Sequence, residues 1–144
     1  MIRGLIVAGV VALGVSAVVA QTSVIKDRQD AMKQMGAATK GPGGMLKGTE
    51  PFNLATVQTS LRSIADAATK AQPLFPEGSG QGDTAAAPKI WQTKADFDNK
   101  MKGLAAAANK ALADIKDEAT VKTSFPEVAK NCGGCHTDYR LKRG

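Results

Sequence analysis

Apolar residues recur every three or four positions in four separate stretches of this chain, the spacing of a helix with one buried face. The first helix is expected from Thr22 to Thr39, with Ile25, Arg28, Met32, Met35 and Thr39 on one stripe, and Gly41-Pro42-Gly43-Gly44 is expected to end it. Met45 and Leu46 fall in the connection that follows. The second helix is expected from Asn53 to Ala71, where Leu54, Val57, Leu61, Ile64 and Ala68 repeat the spacing. A loop rich in Gly and Pro spans Pro73 to Pro88. Pro88 can open the third helix, because its missing N–H would be unpaired in a first turn. That stripe is Ile90, Phe97, Met101, Leu104, Ala108 and Ile115, with Lys94 as one polar intrusion. The last helix is expected to start at Ser124, with Glu127 completing a capping box, and to bury Phe125, Val128, Cys132, Cys135 and Tyr139. No stretch alternates with the period of two that marks a half-buried strand. The pattern predicts an all-α fold, an antiparallel four-helix bundle.

The N-terminus breaks from this pattern. Met1-Ile2-Arg3 precedes an apolar run from Leu5 to Val19, and Val18 and Ala20 stand at the −3 and −1 positions of a small-residue cleavage site. Residues 1–20 thus read as a secretory signal peptide, leaving one domain over 21–144. The alternative is a membrane anchor, but the run is short of the ~20 residues that span a bilayer. No stable membrane anchor is expected after cleavage. Without Arg3, 18 basic side chains face 13 acidic ones, a formal charge of +5. The surplus is spread along the chain. It suits docking to an acidic protein surface. It gives no nucleic-acid signature, since no basic block is interleaved with aromatics.

The chemistry is concentrated in Cys132-Gly133-Gly134-Cys135-His136. C-x-x-C-H is the attachment sequence of c-type haem: two thiols add to the porphyrin vinyl groups, and the adjoining imidazole offers the iron its proximal ligand. Gly133 and Gly134 leave the ring face uncrowded. A thioredoxin-like redox pair would need a βαβ setting, which the pattern lacks. A zinc site needs four ligands, and the chain holds two Cys and one His. A disulfide across two residues would close too small a loop to staple much. Aromatic residues make up only 4% of the chain, so a haem would also supply core volume. Export agrees with this reading, because haem is joined to such motifs outside the bacterial inner membrane.

An export signal, four helices, an Arg in the first helix and a haem motif in the last one resemble the class II c-type cytochromes, the cytochrome c′ family. Arg28 to Gly36, Leu74-Phe75-Pro76, Pro88-Lys89-Ile90-Trp91, Tyr139 and Arg140 also fit, so the likeness covers the whole mature chain. The family divides on what faces the iron opposite His. A bulky apolar residue there leaves a high-spin iron open to small gases, whereas a Met in the cytochrome c-556 subclass gives a low-spin, six-coordinate iron. The resemblance places Met32 at that position, and so implies the c-556 subclass. The residue census leaves the choice wider. His136 is the only histidine, so the candidates are Met32, Met35, Met45, Met101 or, less readily, a Lys. Met32 and Met35 share a stripe, and periodicity does not separate them. Both could equally be gap-filling core residues. A thioether ligand is soft and raises the reduction potential.

Arg28 sits on the apolar stripe, an unusual place for a charge. The resemblance implies a salt bridge to a haem propionate, which suits a planar guanidinium. The alternative is a side chain snorkelling to solvent. Arg140, four residues beyond His136, can reach the haem edge or stay solvated. Trp91 and Phe97 read as core packing. The sequence therefore supports a periplasmic carrier of electrons, holding one haem c and its iron. Redox proteins with acidic docking surfaces would be its donors and acceptors. The second reading is a c′-type protein binding nitric oxide or carbon monoxide at an open distal side. No enzyme's acid–base or nucleophile constellation is visible, since the one imidazole is assigned to iron. Some members of the family form homodimers through their first two helices, and the stripe pattern leaves that open.

Overall fold

The computed structural model describes residues 12–142. Four long helices carry the fold: α1 (Ala12–Ala38), α3 (Leu54–Ala71), α5 (Lys94–Asp114) and α6 (Glu118–Tyr139). Two short ones, α2 (Lys40–Leu46) and α4 (Lys89–Gln92), lie in the connections, and a 3-10 turn covers Gln72–Leu74. Among the described residues there are no strands, only one isolated bridge between Ala86 and Arg140. The molecule is the expected all-α four-helix bundle. Residues 1–11 of the expected leader lie outside the described residues, and residues 12–20 of it form the first part of α1. No described helix is long and apolar enough to cross a membrane.

The stripes do what their spacing requires. Val57, Leu61, Ile64 and Ala68 of α3 are buried against Phe97, Met101, Leu104 and Ala108 of α5, and Val121, Phe125 and Val128 bring α6 onto the same core. At roughly 1.5–3 kcal/mol per buried large apolar side chain, this core is the main stabilising term. Alanines let the helices close up: Ala67, Ala68, Ala71 and Ala108 are at most 1% exposed. The helices pack in series, α1 on α3, α3 on α5 and α5 on α6, while α1 and α6 barely touch. One seam of the bundle is open.

Four boundaries differ from the sequence reading. α1 begins at Ala12, ten residues before the expected Thr22. Gly41-Pro42-Gly43-Gly44 does not end the helical path: it lies inside α2, which buries Pro42 and Met45. Pro42 is third in that helix, where a missing N–H costs no bond. The third helix is split at Thr93, whose non-helical φ of −129° and ψ of 50° separate α4 from α5. The last helix begins six residues before Ser124. Asp117 is its N-cap, accepting from the Thr120 amide, and Thr120 returns the bond as a capping box. Burying Val121 one turn before Phe125 outweighs the N–H that Pro126 removes from the helix interior.

The loop between Phe75 and Pro88 crosses the open seam at one end. On the α1 side Arg28 and Gln29 hold it at Ser79, Thr84 and Asp83. On the α6 side Ala87 N–H donates to the Tyr139 carbonyl at 3.0 Å, and Leu141 N–H to the Ala85 carbonyl at 2.8 Å. Trp91 Nε1 donates to the Pro76 carbonyl at 2.8 Å. Gly80 lets the loop lie on that indole, since a Cβ there would stand 2.9 Å from the ring.

Candidate functional site

Cys132 and Cys135 stand on the last two turns of α6, three residues apart and so on one face of the helix. Both are free thiols, half-buried at the rim of the core. Burial pushes both thiols up from their ordinary value, so they are held protonated in the folded chain. His136 follows at once and is more exposed. Desolvation, with a smaller contribution from the Arg140 charge, lowers its imidazole from the usual value and favours the neutral form that a metal ligand must have. Gly133 and Gly134 are exposed, and a Cβ at either would meet nothing within 4 Å. The helix therefore offers two sulfurs and a nitrogen beside bare backbone.

Across the seam, Met32 of α1 is partly buried against the same core that Cys132 and Cys135 border. The other three sequence candidates are fully enclosed: Met35 and Met45 are 6% exposed and Met101 is 3%. They pack as core. Met32 alone of the four sits at the core's edge.

Arg28 is 3% exposed, which rules out the snorkelling alternative for this side chain. Nη2 donates to the Ser79 carbonyl at 2.8 Å and to Thr84 Oγ1 at 2.9 Å, and Nη1 to Ser79 Oγ at 3.2 Å. The guanidinium also lies 5.2 Å from the Phe75 ring centre and 5.9 Å from that of Trp91. Its Nε is buried with no partner among the described residues. Desolvation lowers its pKa. A buried cation with no carboxylate against it among the described residues, and with an unpartnered Nε, is arranged to receive an anion.

Arg140 caps α6 and is exposed; its backbone pairs with Ala86. Phe97 is core, as expected, at 2% exposure, but Trp91 is half-buried and serves the loop. Sequence reasoning missed the partners of two site residues. Ser79 and Thr84 lie 51 and 56 positions from Arg28, in a loop with no periodicity to read. Asp96 and Thr93 both bond Tyr139, and the Thr93-x-x-Asp96 spacing at the head of an apolar stripe is a signal that could have marked them.

An open seam, two rim thiols with a neutral imidazole next to them, and an unmatched buried guanidinium together fit a haem with its propionates. Among the described residues no cluster of three or more His, Cys, Asp or Glu gathers that could hold a metal ion directly.

Comparison with known proteins agrees. The sequence profile described as Cytochrome C′ matches residues 23–140. A cytochrome c′ of Rhodopseudomonas palustris is 51% identical over 138 residues, covering 95% of this chain and 94% of the relative. A cytochrome c-556 of the same organism is 35% identical over 149 residues, covering all of both chains. The solved structure of cytochrome c′ from Rhodopseudomonas palustris superposes with a TM-score of 0.82 at 50% identity, over 84% of this chain and 98% of that one.

Proposed function

The chain belongs to the cytochrome c′ family and is a monohaem c-type cytochrome, and from that premise we propose that it is a periplasmic electron carrier of the Met-ligated type. Haem c, when bound, supplies a one-electron ferric–ferrous couple. Cys132 and Cys135 would hold it by two thioether bonds, and His136 and Met32 would ligate its iron. The observation that supports this reading is the position of Met32: it is the one methionine among the four candidates that edges the core instead of filling it. Arg28 would pair with a propionate through its Nε, which has no partner among the described residues, and Arg140 would sit at the haem edge. Exchange of electrons would take place with redox proteins whose acidic surfaces meet the basic surplus. The leader at residues 1–20 supports export.

A second reading has its own support, because the relative that is 51% identical is named a cytochrome c′. On that reading the distal side is open, and nitric oxide or carbon monoxide binds there. The spectra of the ferric and ferrous protein, with and without carbon monoxide, separate the two. The carrier gives low-spin bands that the gas does not rapidly change. High-spin bands with ready gas binding overturn it in favour of the second reading. In the carrier, Met32→Ala converts the low-spin spectrum to a high-spin one.

A further inference from the structure

His136 stands on the last turn of α6, where a helix has no further turn to hold it and ordinarily frays. Here that turn is anchored from several sides. The Tyr139 carbonyl, one of the four that a helix end leaves unpaired, accepts from the Ala87 N–H at 3.0 Å. Asp138 accepts from Lys89 at 3.0 Å and lies 3.6 Å from Lys100. The Tyr139 ring is 4% exposed and stands edge-on to Phe97, with centres 5.3 Å apart. Its hydroxyl donates to Asp96 Oδ2 at 2.6 Å and lies 2.8 Å from Thr93 Oγ1.

These contacts do different jobs. The backbone bond and the Asp138 ion pairs hold the turn against the bundle. The Tyr139 hydroxyl is the anchor that senses rotation, because it sits at the end of a rigid ring and reaches a carboxylate fixed in the first turn of α5. Asp96 is at home there, since a negative charge is favoured at a helix N-terminus. His136 precedes Tyr139 by three residues, so the two side chains share one side of the helix. A turn of α6 about its axis that broke the Tyr139–Asp96 bond would swing His136 by the same angle.

We propose that Tyr139 is a positioning residue: through its hydroxyl bond to Asp96 it fixes the rotation of the last turn of α6, and so the orientation of the His136 imidazole toward the haem iron. This rests on the haem reading above. Groups that orient a metal-bound His are known to matter nearly as much as the ligand itself.

The test uses the haem-loaded protein and compares Tyr139→Phe, Asp96→Ala and the double variant. Three quantities are read: the proton resonances of the His136 ring, the reduction potential and the melting temperature. Each single variant is expected to shift the resonances and the potential in the same direction. The double variant is expected to shift them no further, because both changes cut one bond. Wild-type resonances and potential in Tyr139→Phe, with only a lower melting temperature, would overturn the proposal. So would shifts that add in the double variant. Should Asp96→Ala not accumulate, Tyr139→Phe decides alone, since it deletes a single oxygen and keeps the ring against Phe97. A wild-type protein that carries no haem fails at the first step, and that failure belongs to the haem reading before any variant is compared.

Discussion

Arg28 Nη2 meets the carbonyl oxygen of Ser79 at 2.8 Å, across 51 positions of sequence. That bond and its two companions fasten the first long helix to the loop that crosses the open seam. A guanidinium can serve both Ser79 and Thr84 because its donors are fixed in a planar fork, which an ammonium does not reproduce. Arg28→Lys is therefore expected to cost about 1–3 kcal/mol, read from urea unfolding. If Arg28 also meets a propionate, the loss is larger in the haem-loaded protein than in the haem-free one. Equal losses in both would count against that pairing.

Met35 and Met32 separate by burial. Met35 is enclosed, so Met35→Ala leaves a cavity and is expected to destabilise by about 2–5 kcal/mol while leaving the absorption spectrum as it was. Met32→Ala should show the reverse balance, a changed spin state with a smaller loss of stability. A spin change in Met35→Ala alone would move the ligand assignment to that residue.

Acid should act on α6 through its cap. Bonds from the Thr120 backbone and then its side chain hold the Asp117 carboxyl below its ordinary value of 3.8. A carboxylate depressed in the folded state contributes stability fully above its unfolded value, and loses it as the pH falls through the folded one. Asp117→Ala should lower the melting temperature at pH 7. The difference from wild type should shrink below pH 4 and vanish once the folded carboxyl is protonated. A constant difference down to pH 2 would show that the cap's effect is not carried by its charge.

The glycines of the haem motif carry a helix penalty that the chain's own packing does not require. A methyl at Gly133 would meet nothing within 4 Å. In the haem-free protein, Gly133→Ala is expected to gain about 0.5–1 kcal/mol, the usual difference between the two residues in a helix interior. If the glycine is there to clear the ring face, the same change lowers the fraction of chains that carry haem after maturation. Unchanged loading would mean that the ring does not need the space.

The parts of this architecture legible in the sequence are those with short-range causes. The α3 stripe is strict, and Asn53 caps it as its residue type suggests, so the helix expected from Asn53 differs from the observed one only by that cap. C-x-x-C-H carries its chemistry in five consecutive residues. The misplaced start of α6 shows the opposite case. Two threonines before Ser124 and a proline two residues after it resemble a loop, and it is the Asp117 cap together with the burial of Val121 against the core that makes those residues helical. Arg28 falls between the two. Its oddity on an apolar stripe is visible in the sequence, but the Ser79 and Thr84 cage that encloses it depends on the course of a loop that propensity does not fix.

Placing both sulfurs on α6 also sets an order of events. Synthesis runs from the N-terminus, so the residues of α1, α3 and α5 exist before either thiol does. If Cys132 and Cys135 carry the haem, a product that terminates prematurely, anywhere upstream of Cys132, has no point of covalent attachment. Colour in a preparation would then serve as a built-in tally of chains completed through His136, and truncated fragments would stay invisible to it.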